Sequence, residues 1–147
     1  MQKLEEAEFV QAVQDALECM CFVFTEILEE ASPEGLVRHV ALELEAEDET
    51  SRLFLSSDDD FLIELASSLL GSEPEEVDAQ SDGVEALKEI INVFGGELSR
   101  LLGGADREIS TGIPHFVTDV PTESDIDTCF DSMGSCFRLR LLRLQPE

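Results

Sequence analysis

Two stretches of this chain carry apolar residues at three- and four-residue steps, and two such stripes demand a shared layer to bury them. The first comprises Phe9, Val10, Val13, Leu17, Met20, Phe24, Ile27 and Leu28. It predicts one long helix over residues 5 to 30, stopped by Ser32-Pro33-Glu34-Gly35. The second comprises Val84, Leu87, Ile91, Phe94, Leu98 and Leu101, which predicts a helix over 83 to 103 ended by Gly103-Gly104. Between them, Leu36 to Leu44 alternates and reads as a strand, the acidic run Glu45 to Glu49 as a turn, and Arg52 to Ser56 as the returning strand. Asp58-Asp59-Asp60 places carboxylates where they complement the dipole of a shorter helix running to about Leu70. Gly71 to Asp82 reads as a loop, Ile113 to Val120 as a strand, Pro121 to Ser132 as an acidic connector, and Ser135 to Leu144 as the last strand.

The order helix, strand, acidic connector, strand therefore occurs twice, with the short helix after the first hairpin. A shift of 71 residues pairs Val13 with Val84, Met20 with Ile91 and Ile27 with Leu98. The expectation is an α+β fold, two long amphipathic helices packed on an antiparallel sheet, built by internal duplication of a helix-plus-hairpin unit. At 147 residues, the length suits one domain over 1–147.

Charge removes whole classes of function. Nine Lys and Arg against 34 Asp and Glu leave a net charge of −25, which repels phosphate backbones and anionic lipid headgroups. Such a surface favours partners that carry a basic patch. No basic residue stands between Arg52 and Lys88, which reads as a solvated acidic flank. Arg138, Arg140 and Arg143 gather in the last strand, where they neutralise acidic sheet neighbours. No apolar run is long enough to cross a bilayer, and no apolar core follows a basic start at Met1-Gln2-Lys3, so a cytoplasmic location is expected. Cys19, Cys21, Cys129 and Cys136 lack zinc-knuckle spacing and read as reduced thiols.

The inventory of conventional catalytic groups is thin. There is no nucleophile elbow, phosphate-cradling glycine loop or His-Glu-x-x-His, and Asp58-Asp59-Asp60 lacks the alternation of a calcium loop. His115, after Pro114, reads as a structural or surface residue. The segment Asp82 to Gly96 stands out instead. Glu89 and Asn92 lie three apart and project side by side on one helical face, which also takes in Glu85 and Gly96. Asparagine is unfavourable in mid-helix, and each of Gly95 and Gly96 costs about 1 kcal/mol of helix propensity. The two glycines also leave bare backbone where another surface can approach.

Glu-x-x-Asn on a long helix, followed by glycine and then by Ile113-Pro114, resembles the CheC/CheX/FliY chemotaxis phosphatases, and its single motif and compact length resemble the CheX branch. Most of the chain takes part in the likeness. The resemblance implies hydrolysis of the phosphoaspartate on a CheY-type response regulator. Asn92 would place the attacking water, and Glu89 would pair with the regulator's lysine. The regulator would supply Mg2+, so this chain needs no cofactor of its own. A CheD deamidase and a second copy of the chain are further partners the resemblance implies. Two positions depart from the family pattern: Glu85 stands where Asp or Ser is usual, and Pro114 is one residue nearer the asparagine. The chemistry agrees with the likeness, because an amide orients water and a carboxylate holds an ammonium without any perturbed pKa. The competing reading is a non-catalytic acidic module that docks on a chemotaxis or flagellar protein.

By the 71-residue shift, Glu18 and Cys21 occupy the places of Glu89 and Asn92, and Phe24-Thr25 those of Gly95-Gly96. A thiol cannot hold a water as a carboxamide does, so the first helix reads as a site that has lost its chemistry.

Overall fold

A computed structural model describes residues 4–28, 35–103 and 108–144. In chain order, the elements are α1 (Glu6–Cys21), β1 (Glu26–Leu28), β2 (Arg38–Glu45), β3 (Thr50–Ser57) and α2 (Asp59–Leu70). They continue with α3 (Val84–Gly103), β4 (Ser110–Thr111), β5 (His115–Phe116), β6 (Ile126–Ser132) and β7 (Ser135–Leu144). The sheet is antiparallel, in the order β1-β6-β7-β3-β2-β4, with β5 also on β2. The architecture is α+β, and its order reads as two equivalent halves. Hairpins β2-β3 and β6-β7 meet through the central pair β3 and β7, and each hairpin is edged by the short strand that follows the other unit's long helix.

Each strand turns one face to the helices. Val40, Leu42, Leu44, Leu53, Leu55, Phe137 and Leu139 are buried there against Phe9, Val13 and Leu17 of α1, Phe61 and Leu65 of α2, and Leu87, Ile91 and Phe94 of α3. Phe137 is the hub, with its ring centroid 4.4 Å from Phe61 and 4.7 Å from Phe130. The alternate residues carry the charge. Arg138 Nε donates to Asp127 Oδ1 at 2.6 Å, and this hydrogen bonding holds the Asp127 carboxyl below its ordinary pKa. Arg52 Nε lies 2.8 Å from Glu43 Oε1.

Asp58 ties α2 to the sheet. Its Oδ1 accepts from Phe61 N at 2.8 Å as the helix cap, and its Oδ2 accepts from Cys136 N of β7 at 2.9 Å. Asp58→Ala removes a cap of about 1 kcal/mol and leaves the second N–H without its acceptor, so a loss of roughly 2 kcal/mol in urea unfolding is expected. An unchanged midpoint would show that neither bond stabilises the fold.

Several boundaries differ from the sequence reading. The first helix ends at Cys21, not residue 30: Phe22 turns into the left-handed region at φ 54° and its N–H bonds Leu17 O. Ile27 and Leu28, the last two residues of the supposed stripe, instead pair with Glu26 as an edge strand, with Ile27 opposite Phe130. Phe24 and Ile27 are exposed, because their helical spacing extends beyond the helix that would use it, and Met20, in the last turn of α1, is exposed as well. The predicted stop at Ser32-Pro33-Glu34 lies outside the described residues. The predicted strand Ile113–Val120 shrinks to His115–Phe116, with Ser110–Thr111 paired separately; Pro114 has no N–H to offer a ladder. Half of the predicted connector 121–132 is strand β6. Its buried side alternates as Ile126, Thr128, Phe130 and Ser132, while Asp127 and Asp131 lie between them. Pairing with Arg138 makes such an acidic strand tolerable.

Candidate functional site

The loop before α3 sets where that helix begins. Asp78 accepts from Gln80 N at 2.9 Å, and the wide turn Ala79–Gly83 delivers the chain onto α2. A Cβ at Gly83 would lie 1.8 Å from Leu62 Cδ2, so glycine allows α3 to start against α2. From there Ala86, Leu87, Ile90, Ile91, Phe94 and Leu98 are buried, which turns Glu85, Glu89, Asn92 and Gly96 outward along one exposed face. The apolar stripe therefore presents the polar pair.

Glu89 and Asn92 are both exposed and make no hydrogen bond or ion pair among the described residues. Their Cβ atoms, three apart on a helix, are about 5–6 Å from each other. The two glycines have different jobs, contrary to the expectation of one bare patch. Gly95 is buried, and a Cβ there would lie 2.3 Å from Leu42 Cδ2 of β2. Gly96 is exposed with nothing within 4 Å, so it alone supplies open backbone.

Two neighbours escaped the sequence reading. Lys88 stands one turn before Asn92; its Nζ lies 3.7 Å from Glu85 Oε1 and 5.6 Å from the Phe116 ring centroid. The i, i+4 spacing from Lys88 to Asn92 was a visible signal, whereas Phe116 arrives through the pairing of β5 with β2. Ile113, in the connection between β4 and β5, is 84% exposed. Two depressions among the described residues, of about 180 and 380 Å³, open elsewhere, one near Leu102 and Asp125 and the other between α1 and α3. An exposed face of polar side chains beside the Phe116 ring suits a protein surface better than a small molecule.

The other candidates are dispersed. His115 is an exposed residue whose Nδ1 lies 3.3 Å from Ile113 O. Burial, Asp58 and Asp131 push the Cys136 thiol up to about 11, which disfavours a thiolate there. All four cysteines are free thiols, and Cys19 is exposed where Cys21 is buried. No three His, Cys, Asp or Glu side chains come together as a metal site among the described residues. None of the described helices is long and apolar enough to cross a membrane.

The 71-residue register does not survive. It sets Cys21 against Asn92, but Cys21 is the last residue of α1 and only 3% exposed, whereas Asn92 sits on the open face of mid-helix α3. Glu18 and Cys21 form no counterpart of the exposed pair, because helical periodicity permits several registers that only the sheet can choose between.

No protein-family model and no curated protein matches the chain. Solved structures do. The fold is that of the CheC-type chemotaxis proteins: a CheC-like superfamily protein from Shewanella sp. PV-4 superposes with a TM-score of 0.74 at 16% identity, over 95% of this chain and 96% of that one. Within that class CheX recurs most often. CheX from Vibrio vulnificus gives 0.77 at 13% identity, over 94% of this chain and 95% of its own. The CheX–CheY–BeF3–Mg2+ complex from Borrelia burgdorferi gives 0.72 at 16% identity, over 97% and 100%.

Proposed function

We propose that this chain is a phosphatase acting on the phosphoaspartate of a CheY-type response regulator. The observation that carries the reading is the unpartnered carboxylate and carboxamide of Glu89 and Asn92, side by side on an exposed helix face, in a fold shared with a CheX that has been crystallised with CheY. The Asn92 amide accepts one hydrogen bond and donates another, which is enough to hold a water in line with the phosphorus. An acyl phosphate is already reactive, so positioning is the main requirement. The Glu89 carboxylate holds the regulator's lysine and fixes the register of the two surfaces. In this reading the Mg2+ comes with the regulator, as in the CheX–CheY–BeF3–Mg2+ complex whose fold this chain shares. Lys88 offers local positive charge toward the phosphoryl group on a chain whose net charge is −25.

The deciding measurement is release of inorganic phosphate from a phosphorylated regulator with this chain in catalytic amount. Turnover beyond one equivalent supports the enzyme; saturation at one equivalent supports the acidic docking module instead. Binding separates the roles of the pair. Glu89→Lys sets like charges against each other and should weaken association by about tenfold. Parent binding should also fall as salt rises, because the pair is exposed. Equal affinity of parent and Glu89→Lys across a salt series removes Glu89 from the interface.

A further inference from the structure

Lysine is scarce in this chain: Lys3 and Lys88 are its only two, among nine basic residues. Arginines of the sheet are tied to carboxylates. Arg38 Nε donates to Asp59 Oδ1 at 3.2 Å, Arg52 Nε to Glu43 Oε1 at 2.8 Å, and Arg138 Nε to Asp127 Oδ1 at 2.6 Å. Lys88 is held differently. Its one ion pair among the described residues, to Glu85 Oε1 at 3.7 Å, is too long for a hydrogen bond. The two side chains are 38% and 76% exposed, and a solvated pair of that kind holds an ammonium weakly. The Phe116 ring centroid lies 5.6 Å from Nζ, inside the range of about 6 Å for a cation–π contact. Such a contact directs the ammonium without using up its N–H donors.

Helical geometry sets Lys88 beside the polar pair. At about 100° per residue, Asn92 lies between Lys88, about 40° to one side, and Glu89, about 60° to the other. The Lys88 side is the one that borders the sheet. Gly95 lies against Leu42 of β2 there, and Phe116 pairs with Val40 of the same strand. The next residue, Val117, donates its N–H to His39 O at 3.0 Å, so the backbone that carries the ring is fixed. Across the face the order is therefore ammonium, carboxamide, carboxylate. A phosphoaspartate with its phosphorus in line with a water on Asn92 turns three charged equatorial oxygens around that line. With the regulator's lysine held on the Glu89 side, an oxygen on the opposite side falls toward Lys88. An unphosphorylated aspartate is shorter and presents no oxygen at that place.

We propose that Lys88 binds an equatorial oxygen of the phosphoryl group and so makes docking depend on phosphorylation of the regulator, with Phe116 as the positioning residue for its ammonium. The proposal rests on Glu89 and Asn92 being the face that meets the regulator. Lys88 transfers no proton, and the oxygen it meets stays bonded to phosphorus throughout. That oxygen is charged both before and during transfer, so Lys88 acts on affinity rather than on rate. Asn92 does the opposite, since it holds only the attacking water.

The test uses the full chain and a CheY-type receiver domain in Mg2+, with and without beryllofluoride, whose fluorines stand in for the phosphoryl oxygens. Lys88→Met keeps the apolar stem and removes the ammonium. It should lower affinity for the beryllofluoride form about tenfold and leave affinity for the free receiver unchanged. Lys88→Arg should keep most of the preference, and Phe116→Leu, which leaves the charge in place, should lose it severalfold. In phosphate release from a receiver phosphorylated by acetyl phosphate, Lys88→Met should raise KM about tenfold with kcat within about twofold of the parent, the reverse of Asn92→Ala. Circular dichroism melts confirm that each variant is folded. If Lys88→Met keeps the parent's ratio of affinities while Asn92→Ala still loses turnover, the role of Lys88 is overturned and the phosphatase stands. If the parent releases no phosphate yet Lys88→Met loses the preference, the phosphatase falls and Lys88 remains the recognition group. A parent that binds both receiver states equally overturns the role of Lys88 outright.

Discussion

Asn92→Ala is expected to lower turnover of a phosphorylated regulator by about 10²-fold while leaving the melting temperature within a degree or two. The side chain is exposed on α3 and makes no hydrogen bond to the rest of the chain, so folding does not depend on it. Alanine in mid-helix is favoured over asparagine by several tenths of a kcal/mol, so any change in stability should be upward. Catalysis does depend on it, because no other exposed carboxamide lies on this face beside Glu89 and Gly96 among the described residues. Binding should survive, since Glu89 and Lys88 are untouched. The pattern to look for is a lost rate with retained affinity, measured by phosphate release and by titration of the regulator. Full activity in Asn92→Ala rules out the assignment of the water-positioning group.

The paired glycines should respond in opposite directions. Gly95→Val forces a branched side chain into space already held by Leu42, whose Cδ2 lies 2.3 Å from the position of the first added carbon. Leu42 is fully buried in β2 and has Leu44 and Leu53 as neighbours in the core, so it cannot swing aside cheaply. Overpacking of this kind costs about 1–3 kcal/mol, and the displaced helix would carry Glu89 and Asn92 away from their docking position. Chemical denaturation and phosphatase activity should fall together. Gly96→Ala has open space around the new methyl and gains roughly 1 kcal/mol of helix propensity, so the protein should become more stable. If a partner packs on that bare backbone, its activity should nevertheless fall. A stable, fully active Gly95→Val would mean that the contact of α3 with β2 does not set the site.

Elements with one strong local signal were legible before any tertiary information. Helix α3 carries an uninterrupted stripe and lies within one residue of its expected start. Strand β7 runs from Ser135 to Leu144, as the sequence reading had it, because ten residues of alternation leave little room for a shift. Glu89 and Asn92 were visible as a pair for the same reason: three-residue spacing on a helix with an unbroken apolar stripe puts two side chains on one face. The likeness to the CheC/CheX fold also came from this helix and the order of elements around it.

Three decisions belonged to the assembled sheet. The end of α1 at Cys21 depends on Phe22 taking a left-handed conformation and on β1 finding β6, a partner about a hundred residues away. Strand β6 is acidic along the chain and becomes a strand because Arg140 lies across from Asp127 and Arg138, opposite Cys129, bonds the same carboxylate diagonally. The third is the internal register. Amphipathic helices match one another at every turn, so a shift of 71 looked as good as any from the stripe alone. Hairpin pairing has no such freedom: each residue has one partner, and a slip of one would turn every side chain to the wrong face. Local periodicity thus determined which surfaces are apolar, and long-range pairing decided which residues of the two helices correspond.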